Sequence, residues 1–254
     1  MHATTSHPAD EPFLVRQVPL TRPLIWLGRG WEDLKDHPLP SLAYGALVSL
    51  MGGIVLVFNH HPFMIAGAIS AFLLFGPIMT VGLCELSRRR DSGAPRDFES
   101  SLHALRHNRA GLYGFANRLL AVSIVWILLS SMMLQAALGD IAPGLAETVW
   151  GDVLRQLSTA QLLAYLGAGG ILAAVVFAIS VVSVPMILDL NADANTAIKT
   201  SLRVTLRDLP AVLFWAALIV LLVGLGFATM LIGMVVVFPL LGHATWYAYR
   251  DLVH

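Results

Sequence analysis

Three ionisable side chains stand inside or at the end of strongly apolar segments, where they could handle a proton or a ligand. They are Glu85, Asp189 and His243. An ionisable group in apolar surroundings is costly enough to need a charged partner, a hydrogen bond or water. One interpretation is a cytoplasm-facing polar site, for which Asp189 and His243 are the better candidates. The simpler interpretation is that these groups pair with loop arginines or reach lipid head groups, and only hold helices together.

Three prolines, Pro77, Pro185 and Pro239, lie four or eight residues before these groups. Proline lacks the N–H that would bond to the carbonyl one turn earlier, so it bends the helix that contains it. The spacing therefore predicts three helix kinks at the same depth. Kinks so placed would gather the polar side chains on one side of a membrane.

The histidines do not form a metal-ligand pattern. His60 and His61 are adjacent, so they cannot face the same way on a helix. His103 and His107 are four residues apart, but they lie in a polar segment between apolar ones. Haem or copper in a membrane protein needs imidazoles that converge on one site. The sequence therefore predicts no metal site and no cofactor.

The common enzyme signatures are missing from the sequence. It contains no G-x4-G-K-[ST], G-x-S-x-G, H-E-x-x-H or G-x-G-x-x-G pattern. The single cysteine, Cys84, excludes an intramolecular disulfide, and without a neighbouring histidine it fits a small packing residue better than a nucleophile. These features favour a non-enzymatic protein and leave an enzyme as the less favoured class.

The elements that must position these residues are membrane helices. The chain is 57% hydrophobic and only 13% charged, which is too apolar for an ordinary soluble domain. From Leu209 to Tyr249 it runs without one Asp, Glu, Lys or Arg. A helix of that length would be about 60 Å long, twice the thickness of a bilayer core, so the segment must cross and return. We expect the break at Gly224–Gly226 or a few residues later.

The apolar pattern predicts an all-α polytopic membrane protein with six transmembrane helices. Small residues recur every four positions in the first span, at Gly45, Ser49 and Gly53, and would let another helix approach closely. The predicted spans are 41–58, 63–86, 115–138, 161–188, 209–226 and 228–249.

Short amphipathic segments precede the first, third and fifth spans and predict cytoplasmic interfacial helices. Asp193 or Asn195 can cap the last of these helices, which should end near Arg207. An amphipathic helix, a polar break and two spans recur three times, at about 26–90, 97–190 and 194–254. The pattern indicates three copies of one helical hairpin within a single domain, 21–254, after a disordered cytoplasmic tail, 1–20.

Basic residues fix the orientation. Fifteen of the 16 Lys and Arg residues fall on one side of the predicted spans, and only Arg155 falls on the other. The positive-inside rule then places both termini in the cytoplasm of a bacterial inner membrane. Two groups of these residues should attract anionic lipid head groups: Arg88, Arg89 and Arg90, and the stripe Lys199, Arg203 and Arg207.

Four stretches carry a family resemblance. The segments RPLIWLGRGWEDL (22–34), SAFLLFGPIMTVGLCELSRRR (70–90), FAISVVSVPMILD (177–189) and VVVFPLLGHATWYAYRDLV (235–253) resemble a bacterial family of integral membrane proteins with a domain of unknown function. Some members of that family are labelled as cytochrome c oxidase subunits. The resemblance implies an inner-membrane protein near respiration and supplies no catalytic residues.

We therefore expect a non-enzymatic accessory or scaffold protein, associated with a respiratory or other membrane complex. Its partners would be the lipid bilayer and other membrane subunits, and nothing in the sequence suggests nucleic acid. The rival hypothesis is a small transporter or channel whose polar site is Glu85, Asp189 and His243. It requires a water-filled cavity that reaches these residues.

Overall fold

A computed structural model describes residues 13–57, 62–138 and 157–253. His60 and His61, most of the predicted tail and the predicted surface helix at 146–157, except its last residue, lie outside this part of the chain. The described part contains ten α-helices: α1 Arg22–Asp36, α2 Pro38–Val57, α3 Pro62–Asp91, α4 Phe98–His107, α5 Arg109–Leu138, α6 Thr159–Ser180, α7 Ser183–Asp189, α8 Ala194–Arg207, α9 Leu209–Ala228 and α10 Met234–Leu252.

Three segments of the described chain are long and apolar enough to cross a membrane. They are Arg109–Ala136 in α5, Thr159–Asp189, which comprises α6 and α7, and Leu209–Ala228, which is α9. A shorter apolar helix, Pro38–Ile54, forms most of α2. The all-helical fold is as expected, and six crossings remain a prediction.

The outer faces of these helices are apolar. Large side chains that would be buried in a soluble protein point away from the bundle on α5, α6 and α9. Exposure of this extent is expected where the solvent is lipid. Examples are Val125, Leu128 and Met132 of α5, Leu163, Leu166 and Ile171 of α6, and Val220, Leu221 and Leu225 of α9.

Helix α10 lies at the centre of one half of the bundle and packs against α1, α2 and α3. Glycine permits two of these contacts. A Cβ added at Gly45 of α2 would lie 2.0 Å from the carbonyl oxygen of Val235, and one at Gly30 of α1 would lie 2.8 Å from that of Leu240. Backbones this close leave no room for any side chain, so both helices are held directly against α10.

The predicted reversal between α9 and α10 occurs, but later than the glycines. Helix α9 continues through Gly226 to Ala228, and the chain turns over residues 229–233. Met230 and Leu231 take the left-handed conformation there, with φ of 52° and 68°. The Thr229 hydroxyl accepts the backbone N–H of Gly233 at 2.8 Å. Hydrogen bonding by Thr229, and not glycine flexibility, therefore supports the turn.

The residues just before α1 are packed, in contrast to the expected disordered tail. Val15 is buried and forms an antiparallel bridge with Val253. The Val18 N–H donates to Asp208 at 2.7 Å, and the Gln17 amide donates to the Arg207 carbonyl at 2.7 Å. The N-terminal segment from residue 13 thus joins the C-terminus to the junction of α8 and α9, because its backbone finds partners on both.

Helix α8 begins and ends as the sequence predicts. Asp193 is its N-cap and accepts the N–H groups of Asn195 and Thr196, and the helix ends at Arg207. Hydrogen bonds from Thr196 and the capped N–H groups lower the pKa of Asp193, because they favour the ionised carboxylate.

Candidate functional site

His243 is the centre of a buried polar cluster on the α10 face that meets α2 and α3. Its side chain is 1% exposed. The ring Nε2 lies 2.9 Å from the Ser41 hydroxyl of α2, and Nδ1 lies 2.8 Å from the Ser87 hydroxyl of α3. Both ring nitrogens therefore have partners, and neither faces a solvent-filled space.

Asp33 of α1 completes this cluster, and sequence reasoning missed it. Ser87 donates to its Oδ2 at 2.5 Å, and the Tyr247 hydroxyl is 3.0 Å from both carboxylate oxygens. Arg90 forms an ion pair with Oδ1. Asp33 is only 3% exposed, so its charge is neutralised by side chains from two other helices rather than by water. The six residues Asp33, Ser41, Ser87, Arg90, His243 and Tyr247 are called the buried polar cluster below.

A proton count constrains the row that runs from Asp33 to His37. It contains four short contacts: Asp33–Ser87, Ser87–His243, His243–Ser41, and Ser41 to the His37 carbonyl at 3.0 Å. Two serines and a neutral imidazole supply three protons, so one of the four contacts holds no proton. With Arg90 paired to the Asp33 carboxylate, this arrangement has no net charge, which burial favours.

Serine, histidine and aspartate also form hydrolase triads, in which histidine activates the serine. The order differs here, because Ser87 stands between His243 and Asp33. The serine on the far side, Ser41, is 0% exposed and its hydroxyl also bonds to its own helix. A nucleophile must be reached by its substrate, so this geometry suits the fastening of helices and not acyl transfer.

Glu85 lies on the same helix as Ser87 but belongs to a different cluster. Its carboxylate accepts the Arg88 Nε at 2.7 Å and the Arg88 Nη2 at 2.9 Å, and the Arg89 Nε at 2.7 Å. The pairs are formed at i, i+3 and i, i+4 within α3. Glu85 is thus neutralised within its own helix.

Asp189, at the end of α7, occupies a third position. It accepts the Tyr249 hydroxyl at 2.8 Å, and the Arg250 guanidinium is 3.9 Å away. None of its hydrogen-bond partners is shared with Glu85 or His243. The structure therefore places the three candidate residues in separate clusters. His243 and Asp189 connect α10 to neighbouring helices, and Glu85 pairs with arginines at the end of α3.

The prolines differ in their effect. Pro185 follows an interruption at Val181 and Val182, where α6 ends and α7 begins, about one turn before the proline. This break is what the missing N–H predicts. Pro77 and Pro239 lie inside α3 and α10, which continue through them as helices, so kinks there remain a prediction.

The basic residues expected at lipid head groups fall into two sets. Arg88, Arg89 and Arg90 are partly exposed and form ion pairs with Glu85, Asp33 and Asp36 of the same chain. The pairing of Arg90 with Asp36 is 2.9 Å long. Lys199, Arg203 and Arg207 are exposed on α8, and no ion pair to them is found within the described part of the chain.

Two shallow apolar hollows lie away from these clusters. One is formed by α2 and the α9–α10 turn, around Ser49, Gly53 and Leu231. The other lies between α5 and α6, around Leu134 and Tyr165. Neither includes Glu85, Asp189 or His243. Among the described residues no group of three His, Cys, Asp or Glu side chains could hold a metal ion.

Part of the chain matches a known protein family. Residues 64–189 match the sequence model of a family described as "Predicted integral membrane protein (DUF2189)". The match covers α3 to α7 and confirms the resemblance to an uncharacterised membrane-protein family. No curated protein and no solved structure matches the chain.

Proposed function

We propose that this integral membrane protein, which matches an uncharacterised membrane family over residues 64–189, is a non-enzymatic accessory or scaffold protein. It crosses the bacterial inner membrane six times with both termini in the cytoplasm, and it associates with another membrane complex. A respiratory complex is the candidate partner that the family resemblance suggests.

The observation that carries this proposal is the closure of the buried polar cluster. Its ionisable groups, Asp33, Arg90 and His243, find their partners on neighbouring helices of the same chain. A transport site must exchange these partners for water and substrate during its cycle. A scaffold needs the opposite, which is a permanent connection between helices, and the hydrogen bonds here supply one between α1, α2, α3 and α10.

The packing of the cytoplasmic helices supports the three-hairpin arrangement. Helix α4 packs against α3, and α8 packs against α6 and α7, so each contacts the second span of the preceding hairpin. Helix α1 packs against α10, the second span of the last hairpin. A ring of three equivalent units would produce this cyclic order. It also explains why the first and last parts of the chain meet.

The surface available to a protein partner is apolar and lies on α5, α6 and α9. On α6 the exposed side includes Gly167 and Gly170, where an added Cβ would meet no atom of this chain. Small residues on an exposed membrane helix permit a second helix to approach closely. This surface is therefore suited to membrane subunits as partners.

The association is tested by purifying the full chain from native membranes in a mild detergent, with chemical cross-linking before extraction. The proposal expects a membrane partner in fixed stoichiometry. Gly167→Leu should reduce the recovery of that partner, whereas Gly53→Leu, at another open position, should not. A protein that purifies alone after cross-linking would contradict the accessory role.

The topology has a separate test. A reporter that works only in the cytoplasm should be active when it is fused after His254. A reporter that works only in the periplasm should be active when it is inserted between Gly144 and Asp152. Periplasmic activity at His254 would overturn the orientation. If the purified protein carried a solute across vesicle membranes and His243→Ala abolished this flux, the scaffold hypothesis would be wrong and the transporter hypothesis would replace it.

A further inference from the structure

Arg118 of α5 is a cation inside a membrane-spanning segment, and no acidic side chain pairs with it among the residues that the structure describes. It lies more than two turns inside the apolar segment Arg109–Ala136. Its Nη1 donates to the Gly114 carbonyl at 2.6 Å, and its Nη2 donates to the Asn195 amide oxygen at 2.5 Å. Both acceptors are neutral. A guanidinium at this depth is stabilised by an anion, and its remaining N–H groups leave room for one.

The nearest carboxylate along α8 does not supply that anion. Asp193 directs Oδ1 to the N–H groups of Asn195 and Thr196, and Oδ2 to the Thr196 hydroxyl at 2.6 Å. These bonds form the cap of α8 and hold the carboxylate in place. The anion for Arg118 therefore has to come from outside the described chain.

Helix α8 extends this positive site. Asn195, Lys199, Arg203 and Arg207 recur every four residues, which places them along one side of the helix. The opposite side, including Ala197, Thr200 and Val204, is buried against the bundle. Arg118 bonds to Asn195, and Lys199 follows Asn195 by one helical turn on the same side of α8.

The surroundings specify an amphipathic ligand. Leu202 and Leu206 are exposed beside the basic stripe, and Leu206 is 78% exposed. On α5, Val125 and Leu129 follow Arg118 by seven and eleven residues, which places them on the same helix face further along the span, and both are exposed. A small anion would satisfy the cations and leave these side chains uncovered. A molecule with a negative head group and acyl chains would satisfy both.

We propose that an anionic phospholipid binds here, with its phosphate between Arg118 and Lys199 and its acyl chains along Val125 and Leu129 of α5. Arg203 and Arg207 add attraction to the negatively charged leaflet around it. Arg118 fixes the position, since its planar guanidinium can pair with two phosphate oxygens. The inference rests on the membrane embedding proposed above, but not on the accessory role.

The test uses the full chain in nanodiscs of phosphatidylcholine with a minority of phosphatidylglycerol, and measures the lipids retained by native mass spectrometry. The wild type should retain phosphatidylglycerol in excess of its share. Arg118→Gln and Lys199→Gln should each reduce the retained excess about fivefold, the change expected for one head-group attraction of ordinary size. Arg106→Gln on α4 removes an equal charge and should have no effect.

Four further outcomes decide the matter. Arg118→Lys keeps the charge, and it should retain more phosphatidylglycerol than Arg118→Gln if the charge is what binds. Competition by inorganic phosphate at millimolar concentration would indicate a site for a free anion and overturn the lipid assignment. Equal losses in Arg106→Gln and Arg118→Gln would show that only total charge matters. A chain that fails to enter nanodiscs would instead contradict the embedding.

Discussion

The Ser87 hydroxyl of α3 lies 2.8 Å from Nδ1 of His243 on α10, a contact between residues 156 positions apart in the chain. Ser87 also donates to Asp33 of α1. One small side chain thus connects α1, α3 and α10. The account predicts that these contacts determine stability, and that partner binding depends on them only through the fold.

Replacing His243 by alanine should lower the free energy of unfolding by about 2 kcal/mol, because Ser41 and Ser87 lose a buried partner and a void is left. The measurement is thermal unfolding in detergent. Thr245→Ala is the matched control on α10, since that hydroxyl bonds only to the Leu241 carbonyl of its own helix. An equal loss in both variants would contradict a specific role for His243.

Asp33→Asn should destabilise by about 2 kcal/mol, because Ser87 and Tyr247 would lose a charged acceptor, although Arg90 keeps its ion pair with Asp36. The double variant with Arg90→Gln should lose less than the sum of the single variants, with a coupling of about 1 kcal/mol or more. Strict additivity in the unfolding free energies would show that the two side chains act independently.

Gly45→Ala should force α2 away from α10, because the new methyl group would fall on the Val235 backbone. We expect a loss of about 1–3 kcal/mol. Gly53→Ala, two turns later on the same helix, meets no atom within 4 Å and should be neutral or stabilising by up to about 1 kcal/mol. A similar loss at both positions would contradict the close approach. The same unfolding assay compares them.

Acid should weaken the contact between the C-terminus and α1. Burial raises the pKa of Asp251. Hydrogen bonds from Arg22 and Trp26 and the charges of Arg22 and Arg29 lower it by a larger amount, so the pKa in the folded state lies below its ordinary value. A carboxylate with a depressed pKa stabilises the folded state at pH values above its unfolded pKa of about 3.9. This stabilisation is lost as the pH falls through the folded pKa. Asp251→Asn should therefore make the melting temperature less dependent on pH between about pH 5 and pH 2. If the melting temperatures of the wild type and Asp251→Asn fell equally over this pH range, the prediction for Asp251 would be wrong.

The sequence predicts well what depends on local pattern. The cap of α8 at Asp193 and its end at Arg207 follow from local pattern, and the structure has them. The apolar runs likewise predict where α5 and α9 lie, because lipid demands continuous helices.

The site could not be predicted in the same way. Asp33 lies in a stretch rich in charges, WEDLKDH, within a predicted interfacial helix, yet it faces inward. One signal was available: Trp26, Gly30 and Asp33 share one helix face at intervals of four and three. That Ser87 would lie against this face depends on how α3 and α10 pack, which no local pattern specifies.

The most direct test of the central claim uses Cys84, the only cysteine of the chain. It is fully buried between α3 and α10, beside Gly242 and next to Glu85. A small membrane-permeant thiol reagent is applied to native membranes, and the rate of modification is compared with that of an introduced Arg203→Cys in a Cys84→Ser background. The account predicts that Cys84 reacts at least about a hundredfold more slowly than the introduced cysteine. This ratio corresponds to a free energy of local opening of about 2.7 kcal/mol. Comparable rates at the two positions would show water reaching the polar residues, and would contradict a permanently closed cluster.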